Sequence, residues 1–96
     1  MIENERDIEK YFCKRVKMSG GWAMKFVSPG IAGVPDRIVL YPEGKIYFVE
    51  LKRPGQKMRV LQKKIAKMLS AFGFNVFLID RKMAVDDFIW EVTCNE

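Results

Sequence analysis

The chain has 96 residues, 49% of them hydrophobic, and a net charge of +5, which predicts one folded domain over residues 1–96 and favours a polyanionic partner. It contains no histidine, which excludes Ser-His-Asp triads and histidine bases, and Cys13 and Cys94 alone cannot form a zinc site. No apolar run reaches the ~20 residues of a membrane span, and the charged first residues do not resemble a signal peptide. We therefore expect a cytoplasmic protein with reduced cysteines and no membrane partner.

The first 35 residues predict a helix, a strand and a loop. Residues 5–17 are the predicted helix because apolar side chains recur there at helical spacing, at Ile8, Phe12 and Val16. The Ser-Gly-Gly sequence at 19–21 ends this helix, and residues 22–27 are predicted to form a strand. Two prolines and two glycines in residues 28–35 indicate a loop that directly precedes Asp36 and that a substrate could contact.

A hairpin and two further helices are predicted over the remaining residues. The hairpin strands, 36–41 and 45–52, are joined by Pro42-Glu43-Gly44, which favours a type I turn followed by a left-handed glycine. Residues 56–72 predict a long helix, which has on one face Leu61, Ile65, Met68 and Phe72. A strand over 75–80 and a helix over 85–92 follow. This order predicts an α/β fold with a mixed four-stranded sheet flanked by helices.

The strand over residues 45–52 ends in charges that require an explanation. Alternation along the strand puts four side chains on one face: Ile46, Phe48, Glu50 and Lys52. Both faces are apolar for most of the length, which is typical of a central, buried strand. Because a buried charge is costly unless it is paired or binds a metal, Glu50 and Lys52 are candidate functional residues.

Asp36 is predicted to lie beside Glu50. A three-residue loop sets Tyr41 opposite Lys45, and counting outward then pairs Asp36 with Glu50 on the same face. Two carboxylates with Cβ atoms ~4.5–5.5 Å apart repel each other, and a divalent cation between them relieves the repulsion. Ligands that are all oxygen favour Mg²⁺ or Mn²⁺. The alternative is a salt bridge between Glu50 and Lys52, with Asp36 only capping a turn.

Pro35-Asp36 followed by Glu50-Leu51-Lys52 resembles the signature of the PD-(D/E)xK nuclease superfamily, which implies a restriction-endonuclease-like fold. The surrounding sequence resembles the stand-alone VRR-NUC domains of phages and bacteria, in Lys25-Phe26-Val27-Ser28-Pro29-Gly30, Gly33-Val34-Pro35-Asp36-Arg37, Phe48-Val49-Glu50-Leu51-Lys52 and Leu61-Gln62. The resemblance extends over residues 5–80. It implies a divalent-metal-dependent endodeoxyribonuclease of a bacterial or phage-infected cell.

The resemblance also implies a role for each residue of the signature. Asp36 and Glu50 would bind the metal together with the carbonyl oxygen of Leu51. Lys52 would orient or help to deprotonate the attacking water, and it would stabilise negative charge on the phosphate. A bound divalent ion lowers the pKa of water and polarises the phosphoryl oxygen, so these parts suit phosphodiester hydrolysis.

Two further polar residues are implied by the same resemblance. Glu9 resembles the first-helix acid that completes the metal site, often through water, although Glu5, one turn earlier, could take this role. Glu9 could also be a solvated helix residue. Gln62 resembles a glutamine of the second helix that supports the site, and its alternative is a surface amide.

The expected substrate is DNA, and stand-alone VRR-NUC domains resemble four-way (Holliday) junction resolvases that act as homodimers. The basic residues of the long helix are either DNA contacts or a solvated face: Lys57, Arg59, Lys63, Lys64 and Lys67. Dimer contacts are expected from residues 22–27 and from the segment around Phe88 and Trp90. The functional alternatives are a flap, nick or duplex nuclease of the same fold, and a non-catalytic DNA-binding module.

Overall fold

Three helices and one four-stranded sheet make up the fold in this computed structural model, which describes residues 3–94. In chain order the elements are α1 (Glu5–Met18), β1 (Trp22–Lys25), β2 (Arg37–Tyr41), β3 (Lys45–Leu51), α2 (Val60–Ala71), β4 (Asn75–Ile79) and α3 (Lys82–Cys94). The strands lie in the order β1-β2-β3-β4, with β3 and β4 parallel and the other pairs antiparallel. The predicted element order and mixed sheet are confirmed. No helix within the described range is long and apolar enough to cross a membrane.

The β2–β3 hairpin has the predicted register but a different turn. Tyr41 lies opposite Lys45, as a three-residue loop requires. Glu43, however, has a φ of 73° and Gly44 a φ of 75°, so both residues are left-handed. The predicted type I turn is therefore wrong, because Pro42 fixes its own φ and not that of the next residue. The register depends on the length of the loop, so the pairing of the two strands is unaffected.

Helix α2 begins at Val60 and not at residue 56 as predicted. Gly55 has a φ of 80°, and Arg59 is extended, with φ −72° and ψ 163°. The side chain of Gln62 accepts a hydrogen bond from the Arg59 N–H at 2.8 Å, which caps the helix at its first turn. Lys57 and Arg59 therefore lie ahead of the helix. Residues 56–59 include none of the usual capping residues, so this late start could not be predicted from an N-cap residue.

The main core lies between the sheet and the helices α1 and α3. The apolar side chains predicted for the buried face of α1 are fully buried: Ile8, Phe12 and Val16. Phe88 of α3 is only 2% exposed, and its ring centre lies 4.9 Å from that of Phe77. The expectation that Phe88 contributes to a dimer interface is therefore wrong, because the core takes up this ring. Trp90, two residues later, is 69% exposed.

The opposite side of the sheet is covered only in part, because α2 packs on β4. Directly paired residues share a face, and the register places six apolar residues of β1–β3 on this side: Trp22, Met24, Ile38, Leu40, Ile46 and Phe48. We refer to these six residues as the open sheet face. Trp22 is 64% exposed and Ile46 is 39% exposed, so the face is accessible to solvent at the end near the hairpin turn.

The apolar stripe predicted on the second helix remains largely exposed. Leu61, Met68 and Phe72 are all at least half exposed, and Gln62 is the buried residue of α2. Leu61 contacts Gly33 in the loop between β1 and β2. These three residues thus form a second exposed apolar surface, on α2 and the residue after it, and we refer to them as the α2 flank.

Candidate active site

The start of β2 and the end of β3 bring Asp36 and Glu50 together. The ladder between these strands ends at Arg37 opposite Val49, so Asp36 and Glu50 are the next pair outward. The Leu51 N–H donates a hydrogen bond to Oδ2 of Asp36 at 2.8 Å, which ties this carboxylate to β3. The two carboxylates thus lie side by side at one end of the sheet, on the side that carries the open sheet face.

Glu50 is a buried carboxylate without a donor. Its side chain is 1% exposed, and neither of its oxygens has a hydrogen-bond partner among residues 3–94. Burial and, to a lesser extent, the adjacent carboxylate of Asp36 together raise the pKa of Glu50 to about 8. Lys52 and Arg59 oppose this shift because their positive charges favour the carboxylate. The two cations do not offset the burial of Glu50, so its pKa stays raised.

Lys52 lies two residues beyond Glu50 and is 6% exposed. Its backbone N–H donates to the carbonyl of Ile79 at 2.9 Å, which extends the pairing of β3 with β4 past the last residue of the strand. No salt bridge within residues 3–94 includes Lys52. The ammonium group is thus held near the two carboxylates without a fixed ion pair, which leaves it available to a bound anion.

Glu9 and Glu5 line a cavity of about 220 Å³ that also includes Asp36 and Leu51. The carboxylate of Glu9 is nevertheless engaged elsewhere, because its Oε2 accepts a hydrogen bond from Nη2 of Arg37 at 2.9 Å. Within the described residues, no three acidic or cysteine side chains converge into a ready-made metal cluster. The cavity thus has Glu9 and Asp36 in its wall, with Glu9 held by its ion pair.

Gln62 is 6% exposed and is not a surface amide. Its Oε1 caps α2 through the Arg59 N–H, and its side chain lines a hollow of about 370 Å³ beside the loop that holds Gly33. The added Cβ of any other residue at position 33 would lie 2.7 Å from the carbonyl oxygen of Leu61. The glutamine and the glycine therefore fix where the first turn of α2 lies against the loop before Asp36.

The basic residues proposed as DNA contacts are all exposed: Lys57, Arg59, Lys63, Lys64 and Lys67. Arg59 is close enough to Glu50 for its charge to lower the pKa of that carboxyl group. Lys57 and Lys63 border a shallow hollow between α2 and β4 together with Leu78 and Asp80. The basic surface thus begins near the acidic pair and continues along α2.

The acidic pair fits a divalent cation on its own chemistry. Glu50 has two buried oxygens without donors, Asp36 adds a second carboxylate, and Leu51, whose carbonyl is a further oxygen donor, follows Glu50 directly and donates its N–H to Asp36. A hard cation of this charge supplies what the buried carboxylates lack, and its preferred ligands are oxygens. The residues present therefore suit Mg²⁺ or Mn²⁺ better than a thiol- or imidazole-binding metal.

Arg37 is the part of this site that the sequence did not reveal. It follows Asp36 directly, and alternation turns its side chain to the other side of the sheet, towards α1. Only the packing of α1 against the sheet brings Glu9 within reach of its guanidinium group. Strand alternation is the one sequence pattern that could have indicated its position, because it places Arg37 on the opposite face of the sheet from Asp36 and Glu50.

Fold and site together define a nuclease of the restriction-endonuclease-like class. Comparison with known proteins identifies the family within that class. No protein-family model matches the chain. The p44 protein of Acyrthosiphon pisum secondary endosymbiont phage 1, a candidate nuclease by name, is 49% identical over 76 residues, which cover 79% of this chain and 82% of p44. A solved VRR-NUC domain is 32% identical, with a TM-score of 0.83 over 88% of this chain and 92% of that one. The chain belongs to the VRR-NUC family of nucleases.

Proposed function

We propose that this nuclease is a Mg²⁺- or Mn²⁺-dependent endodeoxyribonuclease whose single domain, residues 1–96, acts in the cytoplasm of a bacterial or phage-infected cell. The observation that carries the proposal is the buried Glu50, whose donorless oxygens lie beside Asp36 and near Lys52. A structural salt bridge would give Glu50 a partner of its own. Instead, the carboxylate form of Glu50 is disfavoured unless a cation binds to it, as expected of a metal ligand.

Each residue of the site has a distinct part in the proposal. Asp36, Glu50 and the Leu51 carbonyl hold the metal, and Glu9, or Glu5 in its place, completes the set through the shared cavity. When bound, the metal supplies an acidified water and polarises the phosphoryl oxygen. Lys52 would orient the water or help to deprotonate it, and as a cation it would stabilise the charge that develops on the phosphate. Gln62 supports this arrangement by fixing the first turn of α2.

DNA is the proposed substrate, and it is bound through its backbone. The five basic residues at and before α2 extend from the neighbourhood of Glu50, so phosphates adjoining the scissile bond can contact positive charge. Contacts of this kind carry no sequence information. We therefore propose selection by DNA structure, with four-way junctions preferred over flaps, nicks and linear duplexes.

A homodimer is the proposed active form, formed through the open sheet face and the α2 flank. All nine residues of this surface are uncharged, which favours its burial between two copies of the chain. The surface also adjoins the acidic pair, because Asp36 and Glu50 continue the rows formed by Ile38 and Phe48. A twofold contact here brings two active sites into one assembly, as symmetric nicking of two strands requires.

The size of this surface suits a modest dimer. Aromatic side chains each bury roughly 150–250 Å². Six large apolar residues around this surface, three of them aromatic, are 38–78% exposed: Trp22, Ile46, Leu61, Met68, Phe72 and Phe74. Together they offer roughly 600 Å² per chain, which corresponds to the smaller specific interfaces. We therefore expect dimers at micromolar concentrations.

Cleavage of matched DNA substrates tests the proposed activity. Four-way junction, flap, nicked and linear DNA with the same arm sequences are incubated with the protein in Mn²⁺, in Mg²⁺ and in EDTA. The proposal predicts metal-dependent cleavage that is fastest on the junction. If flap or linear DNA is cleaved fastest, the protein is a flap or duplex nuclease and the resolvase assignment is wrong. Binding without cleavage in any metal would favour the non-catalytic module.

Two tryptophans provide a matched test of the dimer. Trp22 lies on the open sheet face and Trp90 on α3, and they are 64% and 69% exposed. Light scattering at micromolar protein should show that Trp22→Asp is monomeric, whereas Trp90→Asp remains dimeric. The reverse result would move the interface to α3, and a monomeric wild-type protein would reject the dimer while leaving the nuclease assignment intact.

A further inference from the structure

Arg37 is a nearly buried cation with one charged partner. Its side chain is 11% exposed, and Nη2 pairs with Oε2 of Glu9 at 2.9 Å. Nη1 donates to the carbonyl of Ala23 in β1 at 3.2 Å, whereas Nε is buried without a partner among residues 3–94. A guanidinium group bonded to both a strand carbonyl and a carboxylate has a fixed orientation, because its planar donors cannot rotate separately.

The position of this arginine joins two parts of the candidate site. Its backbone follows Asp36 directly in the chain, and its side chain reaches Glu9 on α1. Glu9 is 39% exposed and lines the 220 Å³ cavity with Asp36 and Leu51. Of the two carboxylate oxygens of Glu9, only Oε2 accepts a hydrogen bond from a described residue. The other oxygen, Oε1, has no donor among these residues.

We infer that Arg37 is a positioning residue, which holds Glu9 at the edge of the cavity so that its second oxygen can serve the metal set of Asp36, Glu50 and Leu51. This inference rests on the proposed function, because it requires a cation beside Asp36. Arg37 itself touches neither the metal nor the phosphate. It acts by restricting a flexible glutamate side chain, which would otherwise lose more conformational entropy when it binds.

The geometry explains why an arginine suits this position. A guanidinium group can engage Glu9 and the Ala23 carbonyl with two different nitrogens, while a lysine has a single nitrogen on a flexible stem. Removal of a group that hydrogen-bonds to a metal ligand and orients it typically lowers metal affinity 10- to 100-fold. Removal of Arg37 is therefore expected to weaken metal binding about tenfold, the lower end of that range, because Glu9 supplies only one of the ligands.

The test is a double-mutant cycle read by calorimetric binding of Mn²⁺ in the absence of DNA. Arg37→Met keeps an unbranched apolar stem but removes the charge and the donors, and Arg37→Lys restores a charge and one donor nitrogen without the planar guanidinium group. We expect Arg37→Met to weaken Mn²⁺ binding about tenfold and Arg37→Lys to recover part of that loss. In a Glu9→Gln background, the same Arg37→Met change should alter Mn²⁺ affinity by less than about twofold.

The outcomes separate this inference from the proposed function. If wild type binds Mn²⁺ and Asp36→Asn does not, the metal site stands. Equal affinities of wild type and Arg37→Met would then overturn the positioning role alone. An equal loss in both backgrounds would show a general structural effect and would overturn it as well. Absence of Mn²⁺ binding by folded wild type would overturn both proposals.

Discussion

The metal-free protein is expected to lose stability as the pH rises, and Glu50→Gln should remove most of this dependence. Burial and the neighbouring Asp36 raise the pKa of Glu50 from 4.5 to about 8. The folded state therefore keeps a proton that the unfolded chain releases between these values. The resulting stability is fully present below pH 4.5 and is lost as the pH rises through 8.

The size of the pKa shift of Glu50 determines how much stability is lost between pH 5 and pH 8. Linkage over the interval from pH 5 to pH 8 gives a loss of about 3 kcal/mol for a pKa raised from 4.5 to about 8. For a 96-residue domain this corresponds to a decrease of roughly 15 °C in Tm. Saturating Mn²⁺ should restore the loss at pH 8, because a ligand of the folded state stabilises it.

Thermal unfolding in EDTA from pH 5 to pH 8 measures this effect as the difference between variant and wild type. The difference removes the contribution of all other titrating groups. Glu50→Gln should gain stability over wild type as the pH rises, and Asp36→Asn should show a smaller effect of the same sign. The exposed Glu91→Gln is the matched control and should follow wild type. A Glu50→Gln protein with the same pH slope as wild type would refute the reasoning.

The acidic pair, the glycine before it and the basic surface can each be tested separately. Asp36→Asn should weaken Mn²⁺ binding sharply in calorimetry, and unchanged affinity would reject the carboxylate pair as the metal site. Gly33→Ala should destabilise the fold by about 1–3 kcal/mol in chemical denaturation, because position 33 has a φ of 89° and no room beside Leu61, whereas Gly30→Ala should be neutral. DNA affinity should fall by a factor of about 10³ or more from 50 to 200 mM salt if at least six phosphates are contacted, and a flat response would reject the basic surface as a phosphate contact.

The sequence predicted the hairpin and the approach of Asp36 to Glu50 because both depend on local rules. Loop length sets the register of an antiparallel pair, and alternation then assigns the faces. The buried stripe of α1 was predictable for the same reason, since helical spacing places Ile8, Phe12 and Val16 on one side. These features require no knowledge of which helix packs on which side of the sheet.

Other features depend on packing between distant segments and could not be predicted locally. Phe88 has the same apolar character as Trp90, yet only Phe88 faces the core, because α3 presents that side to Phe77. The late start of α2 depends on Gln62 reaching back to Arg59. The ion pair of Glu9 likewise arises from the packing of α1 on the sheet.

The most direct test of the central claim is nicking of supercoiled plasmid in Mn²⁺ by wild type, Lys52→Ala and Lys45→Ala. Lys52 is buried beside the acidic pair, whereas Lys45 is exposed at the start of the same strand and is the matched control. Wild type and Lys45→Ala should nick the plasmid in Mn²⁺ and not in EDTA. Lys52→Ala should lose about 10²–10⁴ in rate while keeping its fold by circular dichroism. Nicking by Lys52→Ala at the wild-type rate, or undiminished nicking in EDTA, would contradict the claim.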